Sequence, residues 1–338
     1  MGRYIVRRIL WSIPVLLALI LFVFLLMRAL PGGPFDFAGD KSLPPYVVAN
    51  LQARYHLDEP LWKQFARYLT GDFVDTLNPL DLGSNGLLRG DLGAAFRQRG
   101  RTVNDIVAES FPISAQLGIL AILLAVVVGI PLGTLAALKQ NSWVDYGSTF
   151  IAILGVSIPP LVAGPVLQWV FGLKLEWFPI STWGSAPPFI LGFLPVPDLN
   201  FWSHATLPAI ALGSRFSAQI ARLTRASLLQ VIREDYIRTA RAKGLRERAV
   251  IVRHALKNSL IPVVTILGPM FVGVVTGTFV IELIFGIPGM GKHFVDSIGN
   301  RDYSLIQGVT IIYAVLLVIA NLVVDISYAW IDPRIRYE

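Results

Sequence analysis

The chain has 338 residues, of which 54% are hydrophobic and only 15% are charged, and its mean hydropathy is +0.61. A soluble domain usually carries about 25% charged residues, so this composition excludes an ordinary soluble protein and indicates an integral membrane protein. The absence of cysteine excludes a disulfide framework and thiolate catalysis.

Six long apolar windows follow one another along the chain, and each is long enough for a membrane-spanning helix, which needs about 20 residues. They cover residues 9–27, 110–138, 146–173, 205–223, 258–281 and 304–328. The fourth window contains arginines, which we expect to face protein or to reach the membrane surface. Five or seven spans stay open as alternatives, because residues 177–204 are apolar but too rich in proline for one helix. We expect the first window to be an uncleaved span, since it is longer than the apolar run of a signal peptide.

The distribution of basic residues predicts the orientation of these spans. With the N-terminus inside, the inner parts are 1–8, 139–145, 215–257 and 329–338, and they hold 17 Lys and Arg against 6 Asp and Glu. The outer parts are 28–109, 174–204 and 282–303, and they hold 12 against 15. Because basic residues accumulate on the cytoplasmic side, both termini are predicted to be cytoplasmic. The net charge of +7 is therefore a topology signal and does not indicate nucleic-acid binding.

The lengths of the connections predict the domain organisation. An N-terminal helix (1–30) precedes an extracytoplasmic insertion (31–105), which contains a helical pattern around residues 44–69. A membrane core (106–330) follows and includes a basic inner loop (224–257), and the chain ends in a short tail (331–338).

The segment Gly286-Ile-Pro-Gly-Met-Gly-Lys-His293 nearly matches the phosphate-binding pattern GxxxxGK[ST]. His293 replaces the hydroxyl residue that would bind magnesium, and no strand precedes the segment. The topology also places it outside, where ATP is scarce. We therefore interpret it as a turn after the fifth span, and no nucleotide-binding or metal site is predicted.

Glycine pairs occur at the spacing that lets helix backbones approach closely. Gly129 and Gly133 flank Pro131 in the second span, and Gly273 and Gly277 lie in the fifth. Ordinary packing explains both pairs, and a helix that lines a pathway or contacts a partner subunit stays an alternative. Prolines 159, 160 and 165 predict a kink in the third span.

The inner loop contains a short predicted helix, which Asp235 can cap at its start and Gly244 can end. Tyr236, Ile237, Ala240 and Gly244 share one face. An amphipathic helix on anionic lipid is one interpretation. Alanine and glycine favour close docking against another protein, because insertion into lipid favours larger apolar residues.

At this loop the chain resembles a known family. Thr239-Ala240-x-x-x-Gly244 with His254-Ala-Leu256 is similar to the EAA loop of bacterial ABC importer permeases. Arg238 stands where the general motif has Glu, and Lys257 where it often has Pro, and both are usual in the peptide-transporter branch. Segments that resemble the B-type permease subunit of oligopeptide and dipeptide importers are 4–9, 235–245, 253–258, 284–291, 300–304 and 331–337.

This resemblance implies an all-α permease of the type I fold that has no catalytic site or cofactor of its own. It implies five kinds of partner: a paralogous C-type permease subunit, two cytoplasmic ATPase subunits, an extracytoplasmic peptide-binding protein, a peptide substrate and the bilayer of a bacterial inner membrane. The inner helix would be the coupling helix that fits a groove of an ATPase subunit. The implied coupling residues are Asp235, Tyr236, Ile237, Thr239, Ala240, Arg241, Gly244, Leu245, His254 and Leu256.

Other functions stay open on the sequence alone. An ion-coupled secondary transporter could use Asp325, the one acidic residue that lies well within an apolar window. Such a transporter would need further acidic residues within the membrane. An intramembrane hydrolase would need a paired nucleophile and base within the spans. A permease of the same family could instead carry nickel, glutathione or a peptide antibiotic.

The length of the outer insertion exceeds what is needed to join two spans, so we expect the peptide-binding protein to dock there at least in part. Charges at its rim would mainly set the rate of encounter. The candidate rim charges are Arg97, Arg99, Arg101, Asp58, Glu59, Asp72 and Asp75. An insertion that only stabilises the outer ends of the spans is the alternative.

Overall fold

A computed structural model describes residues 2–29, 33–35, 44–71, 86–98, 100–184 and 198–331. The side chains of 2–5, 272, 275–277 and 324–331 are not among those described. The expectations for Asp72, Asp75, Arg99, the side chain of Asp325, the contacts of Gly277 and the tail from residue 332 onward therefore lie outside the described part of the chain.

The described residues form helices joined by short connections, with one isolated bridge between Ala94 and Thr102 in place of a sheet. The α-helices are α1 (Gly2–Ala29), α2 (Pro45–Arg54), α3 (Leu61–Thr70), α4 (Val103–Leu138), α5 (Trp143–Ser157), α6 (Pro160–Leu167), α7 (Leu199–Val231), α8 (Asp235–Ala242), α9 (Glu247–Ala249), α10 (Lys257–Ser259), α11 (Ile261–Phe285), α12 (Met290–Asn300) and α13 (Tyr303–Ile331). A 3₁₀-helix covers Leu87–Arg89, and π-helices cover Gln168–Lys174 and Val250–Leu256.

Each predicted span coincides with helical structure, although three helices alone pass as continuous candidate spans within the described residues. These are Val6–Ala29, Val103–Leu138 and Tyr303–Val323, and the number rises to six if each bent helix pair is counted as one span. The fourth predicted span lies on α7, whose polar and basic residues keep it out of that set. Helix α4 has 36 residues and is about 54 Å long at 1.5 Å per residue, so it extends beyond the hydrocarbon layer of about 30 Å.

The third predicted span is broken and not merely kinked. Helix α5 ends at Ser157, Pro160 starts α6, and the two helical segments meet at an angle of 106°. Ile158 is extended because a residue before proline is kept out of the helical region. Pro159 lacks the N–H that would continue the helix, so the double proline explains the break.

The chain divides into two compact units, residues 1–112 with 289–318 and residues 113–288 with 319–338. In the first unit, helix α3 packs on the end of α1. The ring of Phe24, which is fully buried, meets that of Phe65 edge-to-face at 5.1 Å, and Arg28 donates a hydrogen bond of 2.7 Å to Gln64. The predicted helical stretch in the insertion is thus confirmed as the two helices α2 and α3.

A buried carboxylate fastens the rest of the described insertion to the start of α13. Asp302 is 1% exposed and accepts hydrogen bonds from the backbone N–H groups of Phe96, Arg97 and Leu305. The last of these caps the N-terminus of α13, where backbone donors have no helical partner. One side chain therefore fixes both the loop and the helix start.

The second unit is built around α7. Helix α4 packs along it so closely that a Cβ on Gly129 would lie 2.6 Å from the Ser217 carbonyl oxygen, and one on Gly133 would lie 2.3 Å from that of Ala221. Because real Cβ contacts are never this short, the expectation that this glycine pair serves helix packing is confirmed. Fifteen of the 33 residues of α7 are buried, and the polar residues Ser217, Thr224 and Ser227 are among them.

Candidate functional site

The inner loop folds into the predicted short helix, and its end follows the glycine signal. Gly244 has φ of +74°, a left-handed conformation in which L-residues are strained. The Gly244 N–H bonds to the Arg241 carbonyl and the Leu245 N–H to that of Ala240. This pair of bonds forms a Schellman motif, so Gly244 ends α8 as expected.

The start of α8 differs from the expectation in one detail. Asp235 is the first helical residue and makes no capping hydrogen bond, because the cap position belongs to Glu234, whose side chain does not cap either. Asp235 still places a carboxylate in the first turn, where the helix dipole favours negative charge.

The apolar face of α8 is occupied by this chain itself, which corrects the expectation that it is free for a partner. Ile237 is fully buried and Ala240 is 7% exposed. We call the group that they join the inner cluster. It consists of Ala137, Leu228, Ile237, Ala240, Val250 and Ala255. The apolar residues of α8 therefore share a cluster with the C-terminal ends of α4 and α7.

The other predicted coupling residues fall into two groups. Tyr236 is exposed, and its hydroxyl accepts a hydrogen bond of 2.9 Å from Asn258, which ties the start of α8 to the chain 22 residues later. His254 and Leu256 are half-buried in the π-helix beside the inner cluster. Tyr236 therefore holds the start of α8 in place, and His254 and Leu256 lie beside the cluster on which α8 packs.

The polar side of α8 points away from the bundle. We call Asp235, Arg238, Arg241 and Lys243 the charged face, and all four are exposed, as are Thr239 and Leu245. The Thr239 hydroxyl donates to the Asp235 carbonyl at 3.0 Å, a bond within the helix. Arg241 donates to Glu247 at 2.7 Å, and this hydrogen bond lowers the pKa of Glu247. The charged face is thus ordered by local bonds and open to a partner.

One polar pair near this region was not singled out from the sequence. Arg225 on α7 binds both carboxylate oxygens of Asp145 on α5, with two N···O distances of 2.7 Å. Side-chain exposure is 3% for Asp145 and 32% for Arg225. The fork of the guanidinium matches a carboxylate in this two-point geometry. Arg225 was expected to face protein or the membrane surface, and the structure gives it a protein partner, while Arg215 and Arg222 are exposed.

The near-match to a phosphate-binding loop forms a helix end. Gly286 has φ of +61° and ends α11, and α12 begins at Met290. Burial lowers the pKa of His293. Among the described residues, no group of three or more His, Cys, Asp or Glu is placed to hold a metal ion.

Comparison with known protein families identifies the family of this chain. Residues 129–337 match the family described as "Binding-protein-dependent transport system inner membrane component", and residues 1–118 match its N-terminal region. The chain belongs to this family. It is therefore a multi-pass protein of the inner membrane and a permease component of an ABC transport system, as the resemblance implied.

Relatives within the family match over essentially their whole length. The "Oligopeptide transport system permease protein OppB" of Salmonella typhimurium is 44% identical over 338 residues, which is 100% of both chains. The "Dipeptide transport system permease protein DppB" of Bacillus subtilis is 40% identical and covers 99% of this chain and 98% of its own.

A solved structure agrees with the fold. The inward-facing MetNI methionine ABC transporter matches with a TM-score of 0.53 and 14% identity, over 67% of this chain and 96% of that chain. At this identity the likeness concerns the fold alone. The predicted all-α membrane fold of type I ABC importers is confirmed.

Proposed function

We propose that this permease forms half of the translocation pathway of an ATP-driven importer of oligopeptides or dipeptides. Its support is the full-length similarity to permeases named for oligopeptide and dipeptide transport. Within this proposal the chain carries no catalytic residues, and partner subunits hydrolyse ATP.

The observation that carries the coupling mechanism is the two-sided packing of α8. One side is buried in the inner cluster against α4 and α7, and the other side presents the charged face. A partner that binds the charged face and moves would displace the inner ends of α4 and α7, because packed interiors transmit displacement. We infer that the partner is an ATPase subunit and that closure of the ATPase pair switches the access of the pathway.

The assembly that this mechanism needs has four further kinds of component. They are a paralogous C-type permease subunit, a second ATPase subunit, an extracytoplasmic peptide-binding protein and the peptide itself. The excess of arginine and lysine in the inner parts places both termini in the cytoplasm in this proposal. The charged face then lies on the side where ATP is available.

The outer insertion is proposed as a docking surface for the peptide-binding protein. Its rim charges are less available than the sequence suggested, since Arg97 binds the Asn300 carbonyl, Arg101 pairs with Glu109, and Glu59 pairs with Lys63. These pairs set the shape of the surface, and docking would rely on the remaining exposed groups, such as Trp62, which is 72% exposed.

Uptake of labelled peptides of two to eight residues in a strain that lacks this gene tests the proposed transport. Complementation should restore uptake of at least one length, and only when the ATPase subunits are intact. The variant that tests the coupling helix is Gly244→Val, in which the left-handed turn costs about 1–2 kcal/mol and displaces Leu245 from the end of α8. We expect this variant to insert in the membrane but to retain less ATPase on purification. Peptide uptake that persists without functional ATPase subunits would contradict the proposal.

A further inference from the structure

Burying the ion pair between Asp145 and Arg225 carries a desolvation cost. Asp145 has a side-chain exposure of 3%, and it accepts two hydrogen bonds from Arg225 and one of 3.0 Å from the Asn141 N–H. Removing a carboxylate from water costs several kcal/mol, and the attraction within a buried pair returns that cost only when the geometry is very good. An apolar pair would hold two helices together as well, so stability alone does not account for these residues.

The position of the pair connects it to α8. Arg225 precedes Leu228 by one helical turn on α7, and Leu228 is fully buried in the inner cluster with Ile237 and Ala240 of α8. The buried members of this cluster come from α4, α7, α8 and the π-helix Val250–Leu256, and none comes from α5. A displacement of α8 therefore reaches α4 and α7 through this cluster, and it reaches α5 through α7 and through the short turn that joins α4 to α5.

Helix α5 packs along α7, and one contact near each end of α5 defines how the two helices meet. At the outer end, a Cβ on Gly155 would lie 3.0 Å from the Ser214 carbonyl oxygen, which is close helix packing without a directional bond. At the inner end, the attachment is the two-point ion pair, which fixes both the distance and the rotation of the helices. The pair is thus the directional link at the end that is nearer to α8.

The movement of α5 matters because the chain continues from it into α6. Across the break at residues 158–159, α6 packs on the end of α11, where a Cβ on Gly164 would lie 3.1 Å from Ile284. Gln168, at the start of the next π-helix, donates hydrogen bonds to the carbonyls of Ile180 and Ile284 at 2.7 and 3.1 Å. A rotation of α5 would therefore act on α6, which packs on α11 and, like α11, also on α7.

We infer that Asp145 and Arg225 are positioning residues for transport: their ion pair makes α5 follow α7 when the partner ATPase moves α8. This inference rests on the proposed function. Without the pair, α7 still moves with α8, and α6 and α11 keep their own contacts with α7, so ATP hydrolysis continues, but α5 follows incompletely. The expected defect is a lower number of peptides carried for each ATP hydrolysed.

The test measures peptide uptake and ATP hydrolysis in proteoliposomes that contain the complete transporter, with the peptide-binding protein and a labelled tripeptide or pentapeptide. Asp145→Asn keeps the size of the side chain and removes its charge, and it should lower peptides carried per ATP at least five-fold. Arg225→Lys keeps the charge but loses the two-point geometry, so it should lower the ratio less. Arg222→Gln is the matched control, three residues earlier on α7 and exposed, and it should leave the ratio unchanged.

An unchanged ratio in Asp145→Asn complexes would overturn the inference, and so would an equal fall in Arg222→Gln. If Asp145→Asn does not assemble, Arg225→Lys decides, and a wild-type ratio in that variant would overturn the inference. A wild-type complex that hydrolyses ATP in response to the binding protein but carries neither peptide would instead contradict the proposed function.

Discussion

Each structural unit contains a buried aspartate that fastens one segment to a long helix, and the two aspartates use different donors. Asp302 in the first unit accepts backbone N–H groups of Phe96, Arg97 and Leu305. Asp145 in the second unit accepts two hydrogen bonds from the guanidinium of Arg225 on α7, and the backbone N–H that it accepts, from Asn141, lies within its own turn.

The two arrangements differ in which substitutions would disrupt them. Backbone donors are present whatever the neighbouring side chains are, so the fixing of the outer loop depends on one residue. The inner attachment depends on two side chains and on the charge of both. A link of the first kind suits a fixed scaffold, and a link of the second kind suits a joint whose geometry must be exact but whose helices move together.

The largest effect is expected when Arg225 is removed. Arg225→Met leaves the carboxylate of Asp145 buried without its cation, which costs about 3–5 kcal/mol. The melting temperature of the detergent-solubilised transporter should fall sharply, whereas Arg222→Met should leave it almost unchanged. Adding Asp145→Leu to Arg225→Met should recover much of the loss, because an apolar pair of similar volume carries no desolvation cost. No recovery in the double variant would show that the buried charge is not the source of the loss.

A smaller loss is expected at Asp302. Asp302→Ala removes the cap of α13, worth about 1 kcal/mol, and two further backbone bonds, so about 2–4 kcal/mol is expected in total. Asp302→Asn should retain about half of the stability that Asp302→Ala loses, since an amide oxygen still accepts hydrogen bonds. Asp145→Asn should retain little of the stability that Asp145→Ala loses, because an amide has no charge to pair with Arg225. Proteolysis of the outer insertion in intact cells or vesicles gives a second readout. Equal behaviour of the two asparagine variants would contradict the distinction between backbone and charged donors.

The packing beside the joint gives the third effect. Gly133→Ala puts a Cβ 2.3 Å from the Ala221 carbonyl oxygen, so α4 and α7 must separate. Overpacking of this kind costs about 1–3 kcal/mol. Gly147→Ala on α5 is the control, because a Cβ there meets no atom within 4 Å. Melting temperatures of the two purified variants should therefore differ by several degrees, and similar values would show that the close approach of α4 to α7 is not required.

The smallest effect is expected at the exposed pair of Arg241 and Glu247. Their side chains are 40% and 56% exposed, and such surface pairs contribute about 0–1 kcal/mol. The hydrogen bond from Arg241 lowers the pKa of Glu247 in the folded state. The stabilisation is therefore present above the unfolded pKa of about 4.3 and is lost as the pH falls through the lower folded value. Glu247→Gln should change stability at pH 7 by less than about 1 kcal/mol, and a pH titration of the melting temperature checks this.

Much of the fold follows from the sequence, because apolar length and glycine or proline signals act locally. The six predicted spans lie on helices, and Gly244 and Gly286 end α8 and α11 where expected. The break before Pro160 was predicted only as a kink, since the angle depends on what the next segment packs against. The N-cap role of Asp235 was wrong because Asp235 already belongs to the helix.

The site was less predictable, for a physical reason. Periodicity identifies which residues of α8 share a face but not what covers that face, so Ile237 and Ala240 were assigned to a partner although they pack on their own chain. The pair of Asp145 and Arg225 joins residues 80 apart in sequence. An arginine at the end of an apolar window was the available signal, and its partner becomes visible only when α5 and α7 are packed side by side.

The most direct test of the account is a cross-linking measurement on the two faces of α8. The chain contains no cysteine, so a single introduced cysteine reports on one position without background from this subunit. Lys243→Cys, labelled with a thiol-reactive benzophenone in the assembled transporter, should cross-link to an ATPase subunit upon illumination. Leu88→Cys in the insertion is the control: Leu88 is 73% exposed, and because the proposed topology places it outside the cytoplasm, it should give no such product. Absence of an ATPase cross-link from position 243, with the complex still intact, would contradict the claim that the charged face of α8 receives the movement of the ATPase.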